Sequence, residues 1–67
     1  MDVINQLGYI RSTVRGYSQQ QLADMSGVSR HTISEIELEK RIPTLRTALL
    51  LSRALEYPVD EIFYLKE

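Results

Sequence analysis

A chain of 67 residues, 43% of them apolar and 25% charged, has room for one small core, a size at which a partner subunit commonly adds stability. With no cysteine and a single histidine, neither a disulfide framework nor a thiolate zinc site is available, and no metal cluster is expected. No apolar run approaches the roughly 20 residues that span a bilayer, and the opening MDVINQLGY lacks the basic flank and apolar stretch of a signal peptide. The expectation is therefore a soluble, cytoplasmic protein with no membrane contact, no cofactor and no small-molecule ligand.

The net charge of −1 by itself disfavours a nucleic-acid partner. Its distribution weakens that objection. From Arg11 to Arg46 the cations are Arg11, Arg15, Arg30, Lys40, Arg41 and Arg46, against Asp24, Glu35, Glu37 and Glu39. Beyond Arg46, Arg53 and Lys66 face Glu56, Asp60, Glu61 and Glu67. The acidic excess lies at the C-terminal end.

In chain order, Val3, Leu7, Ile10 and Val14 recur at spacings of four, three and four with Ile4 alongside, which predicts a first amphipathic helix ended by Gly16-Tyr17. Ser18 with Gln21 three residues later forms a capping box, which pairs two orphan backbone donors of a second helix. Leu22, Ala23 and Met25 are that helix's core candidates. Ser26-Gly27-Val28 reads as a tight turn, Gly27 supplying the positive φ of a sharp corner. Ser29 then caps a third helix, Arg30 to Leu38. At about 100° per residue, Ile33 and Ile36 fall on one side of it. Arg30, His31, Ser34, Glu35 and Leu38 fall across the other, a row of side chains able to read a partner.

Glu39-Lys40-Arg41-Ile42-Pro43 is a basic connector in which Pro43 disfavours helical geometry at Ile42. Thr44 caps a fourth helix with Leu45, Ala48, Leu51, Ser52 and Leu55 on one side. Leu50 projects from nearly the opposite face, beside Thr47 and Ala54. It reads either as a stray surface leucine or, with Ala54, Tyr57, Tyr64 and Leu65, as a dimer patch. Pro58 restarts the chain into a short fifth helix, Val59 to Phe63. Tyr64-Leu65-Lys66-Glu67 alternates and is paired as a strand with Met1 to Ile4. The expected core is Leu22, Val28, Ile33, Ile36, Leu45, Leu49, Leu51, Leu55, Ile62 and Phe63. With no repeat or linker in the chain, residues 1–67 are read as a single domain.

Ser18-Gln19-x-x-Leu22-Ala23, Gly27-Val28-Ser29, Ile33-Ser34-x-Ile36-Glu37, Lys40-Arg41-x-Pro43 and Asp60-Glu61-Ile62-Phe63 together resemble the Cro and lambda-repressor helix-turn-helix family, also called the XRE family, and above all its small stand-alone repressors. The likeness runs from about Leu7 to Phe63. It implies an all-α, five-helix DNA-binding domain, helix-turn-helix at about 18–38, that binds operator DNA as a dimer. It also implies a phosphate contact at Gln19 and an ion pair between Glu37 and an arginine of the first helix, for which Arg11 is the natural partner. The chain departs from the family in five places. The interval from Arg11 to Gln19 is one residue longer than is common, and Glu39 and Glu56 stand where glycine usually follows a helix. Leu38 replaces a frequent polar or basic residue, and Glu35 puts a negative charge on the reading face.

The chemistry agrees with that likeness. A major groove about 12 Å wide admits one helix, whose first residues reach base edges. Arg30 can donate a bidentate pair to guanine, Thr32 or Ser34 can meet either base type, His31 can donate in either tautomer, and Glu35 can accept from the cytosine amino group or repel phosphate at wrong sites. Gln19, Ser29, Lys40 and Arg41, with Arg15 and Arg46 as weaker candidates, are suited to phosphates. The expected function is a homodimeric, sequence-specific regulator, a repressor, on an inverted-repeat operator in double-stranded DNA. The alternative is a protein-interaction module of the same fold, antitoxin-like or adaptor, motivated by the acidic balance and Glu35. No nucleophile, base and orienting group are placed together by these spacings, so an enzyme is not expected.

Overall fold

The structure, a computed structural model, describes residues 2–67. Five helices and two strands follow in the order β1 (Val3–Asn5), α1 (Leu7–Tyr9, continued by a π-helical stretch Ile10–Val14), α2 (Gln19–Ser26), α3 (Arg30–Glu37), α4 (Leu45–Leu55), α5 (Val59–Ile62) and β2 (Phe63–Leu65). The architecture is the expected five-helix one, extended by a short antiparallel sheet.

Three helices begin where a side chain satisfies the first turn. Ser18 Oγ accepts from Gln21 N–H at 3.0 Å and Gln21 Oε1 accepts from Ser18 N–H at 2.8 Å. Ser29 and Thr44 accept from Thr32 and Thr47 N–H, both at 3.1 Å. Each such cap contributes about 1 kcal/mol. Gly27 turns the corner between α2 and α3 at φ 78°.

The first helix starts later than its apolar spacing predicts. Val3 and Ile4 lie in β1, paired in the register Val3↔Leu65, Ile4↔Tyr64 and Asn5↔Phe63. The pairing therefore extends to Asn5, while Met1 lies outside the described residues. Two β-branched residues beside a free partner strand gain a hydrogen-bonded ladder that an isolated helical turn does not offer. Asn5 Oδ1 then accepts from Leu7 N–H at 2.9 Å, and the helix begins there. It widens further on, where Arg15 N–H donates to Ile10 O across five residues at 2.9 Å and Tyr17 N–H to Arg11 O at 2.8 Å. A π turn takes in one residue more than an α turn of equal length, so it absorbs the additional residue between Arg11 and Gln19.

Leu7, Leu22, Ile33, Ile36, Leu51, Leu55 and Ile62 are fully buried, with Ile10 and Val28 beside them. Met25 is not in the core but 48% exposed, and Leu45 and Leu49 are 76% and 49% exposed. On α4 the buried arc is centred on Leu51 and turned toward Leu50 and Ala54, both of which pack against the core. That rotation carries Leu45 and Leu49 outward. Phe63 is half-buried and opens β2 instead of closing α5. Glu39 and Glu56 both adopt left-handed backbone, φ 60° and 51°, a conformation that costs a residue with a Cβ about 1–2 kcal/mol. Among the described residues no helix is long and apolar enough to cross a membrane.

Candidate nucleic-acid interface

The sequence places three things around α3, and the fold joins them. Arg11 Nε and Nη2 donate to Glu37 Oε2 and Oε1 at 2.7 and 3.0 Å, and Gln19 Nε2 donates to the same Oε1 at 3.2 Å. Arg11 Nη1 also donates to Tyr17 O at 2.7 Å. The Arg11 and Glu37 side chains are only 15% and 12% exposed. Glu37's hydrogen bonds raise the pKa of the Arg11 guanidinium, burial opposes them, and Glu37's charge adds to the rise, so Arg11 stays charged. Gly8 leaves room for the approach: a Cβ there would sit 3.2 Å from Glu37 Oε1, close enough to push the carboxylate aside by a few tenths of an ångström. On the other side, Asn5 Nδ2 donates to Ile36 O at 2.6 Å. The C-terminal end of α3 is thus tied to α1, to the start of α2 and to β1.

With its base anchored and Ile33 and Ile36 fully buried, α3 presents Arg30 and His31 to solvent. His31 is 80% exposed on its side chain. Thr32 and Ser29 are engaged with each other, Ser29 Oγ donating to Thr32 Oγ1 at 2.8 Å, and Ser34 is half-buried. Glu35 stays on this face but is half-covered by its neighbours, its side chain 27% exposed. Its Oε1 lies 2.6 Å from Arg41 Nη2 and 3.4 Å from His31 Nε2. Arg41 reaches it because the left-handed Glu39 reverses the chain and Lys40 N–H donates to Glu35 O at 2.9 Å. Lys40 stays exposed beside this turn.

Two candidates stand elsewhere. Arg15 is not free for phosphate in this conformation: Nε and Nη2 donate to Leu55 O and Glu56 O, both at 2.8 Å, and its guanidinium lies 5.7 Å from the Tyr57 ring centre. It closes the C-terminal end of α4, where Glu56 replaces a glycine. Arg46 is exposed in a groove with Leu45, Leu49, Leu50 and Arg53. Of the dimer candidates, Leu50, Ala54 and Tyr57 pack against their own core, whereas Tyr64 and Leu65 are 40% and 57% exposed on β2. Asn5, Gly8 and the capping role of Arg15 carry no local sequence signal, because each depends on a partner more than 25 residues away.

The capped pair α2–α3, joined at Gly27 and backed by this anchor, is matched by the sequence profile of the helix-turn-helix family over residues 15–62. The chain belongs to that family, in its XRE branch. As a helix-turn-helix protein it is of the DNA-binding transcriptional-regulator class. It is 36% identical over 52 residues to the uncharacterized HTH-type transcriptional regulator YgzD of Bacillus subtilis, a match covering 78% of this chain and 79% of the relative. It is 41% identical over 48 residues to the SPbeta prophage-derived uncharacterized HTH-type transcriptional regulator YonR of the same organism, 72% and 44% of the two chains. Control protein C.SmaI of Serratia marcescens is 37% identical over 49 residues, 73% and 58%. The helix-turn-helix chain thus spans most of the first relative and about half of the other two.

Proposed function

We propose that this helix-turn-helix chain is a homodimeric repressor, acting in the cytoplasm as one unit over residues 1–67, that binds an inverted-repeat operator. Each subunit places Arg30, His31, Thr32, Ser34 and Glu35 in a major groove, with the two grooves about one helical turn, roughly 34 Å, apart. The observation that carries this reading is the exposed start of α3, Arg30 and His31, on a helix whose rear is buried and whose end is clamped by Arg11 and Glu37. Gln19, Ser29, Lys40, Arg41 and Arg46 serve as phosphate contacts. Tyr64 and Leu65 offer exposed apolar surface for the twofold contact. A dimer seated on its operator excludes other proteins from that DNA, which is repression by occlusion.

In vitro selection of bound double-stranded DNA tests the reading. The expected product is an inverted repeat whose half-sites lose one base preference, at a cost of about 1–3 kcal/mol, when Arg30 is replaced by Ala. A reporter placed behind that operator is expected to fall in output. The exposed Leu45 and Leu49 on α4 support the second reading, a protein-interaction module. Failure to enrich any site at low salt selects that reading instead.

A further inference from the structure

Glu35 Oε1 is fully withdrawn from solvent, yet no aligned hydrogen-bond donor reaches it. The 2.6 Å approach of Arg41 Nη2 satisfies its charge, but no N–H of Arg41 points at it. The side chain as a whole is 27% exposed and that of Arg41 48%. Both lie on or beside the outward face of α3, and the strained turn at Glu39 aims one at the other. Arg41 therefore has two competing anions when DNA approaches, the Glu35 carboxylate and a phosphate.

We propose that Glu35 makes the Arg41–phosphate contact conditional on the base beneath it, with an amino-bearing base, cytosine N4 or adenine N6, as the permissive partner. When Arg41 turns to a phosphate it uncovers Glu35 Oε1 within a groove of strongly negative potential. A base that presents an amino donor supplies the missing aligned hydrogen bond, and the exchange proceeds. Guanine or thymine at that place presents acceptors, which repel the uncovered carboxylate. Arg41 then stays on Glu35, and the protein–DNA complex forms with one phosphate contact fewer. Base identity and phosphate contact are coupled through the Arg41–Glu35 ion pair, the shorter of the two contacts at Oε1 beside that of His31 Nε2 at 3.4 Å, which makes Glu35 a specificity-determining residue and Arg41 its reporter.

The inference rests on the DNA-reading function proposed above, and the experiment separates the two. The full chain is titrated against the selected operator, and against variants with each base in turn at every half-site position, over a salt series. At one position of a half-site the wild type is expected to bind the amino-bearing bases about five- to a hundredfold more tightly, with a log–log salt slope steeper by about one for each half-site changed than on the acceptor-bearing variants. Glu35→Ala is expected to abolish both differences and to raise affinity for random DNA, because Arg41 is released. Arg41→Ala is expected to give the shallower slope on every variant. Glu35→Gln, which keeps the shape of the side chain, guards against an effect of folding, and circular dichroism verifies each variant. A wild-type slope that is the same on all variants, or base discrimination retained in Glu35→Ala, overturns the inference. If no operator can be selected, the DNA-reading function itself fails.

Discussion

Arg11 and Glu37, 26 positions apart, meet in a two-point ion pair of 2.7 and 3.0 Å that fastens α1 to the C-terminal end of α3. Removing either partner leaves the other charge largely out of solvent, with only Gln19 Nε2 to meet Glu37 or Tyr17 O to meet Arg11. Arg11→Ala or Glu37→Ala is expected to cost about 3 kcal/mol in urea unfolding, a large part of the about 5 kcal/mol available to a small domain. The double variant is expected to lose less than the sum, with a coupling above about 1 kcal/mol. Strictly additive losses would show that the pair contributes nothing as a pair.

The π stretch Ile10–Val14 holds one residue more than an α-helix over the same rise. Deleting the exposed Thr13 is expected to return it to α geometry with the fold and the Arg11–Glu37 pair intact. Deleting the exposed Asp24 from the regular helix α2 is expected to misplace everything after it. Thermal melts of the two deletions decide the matter, and equal destabilisation would refute the account of the π turn.

Glu39 and Glu56 hold left-handed backbone at φ 60° and 51°, where glycine has no Cβ to clash. Glu39→Gly and Glu56→Gly are each expected to stabilise by about 1 kcal/mol, raising Tm by about 4–8 °C. Glu56→Ala keeps the strain and is expected to bring no such gain.

On α4, Leu49 is 49% exposed and Leu51 fully buried. Leu49→Lys is expected to change stability by no more than about 0.5 kcal/mol, and Leu51→Ala to cost about 2–5 kcal/mol. Equal losses in denaturant titrations would place both leucines in the core.

What the sequence determined by itself was local. The Ser18–Gln21 box, the Ser29 and Thr44 caps and the Gly27 corner act within a few residues, so the starts of α2, α3 and α4 follow from neighbours in the chain. The buried side of α3 follows from Ile33 and Ile36 for the same reason, and the family likeness pointed to Glu37 meeting an arginine of the first helix. Tertiary structure decided the rest. Apolar periodicity placed Val3 and Ile4 in a helix as readily as in a strand, and only the arrival of Phe63–Leu65 alongside them chose the strand. The rotation of α4 was set by what surrounds Leu51, which is why Leu45 and Leu49 turned outward. Arg15 and Arg41 are alike as charges in the sequence. The fold sends one to the carbonyls ending α4 and the other to Glu35, because a long cationic side chain goes to whichever acceptor the backbone brings within its reach.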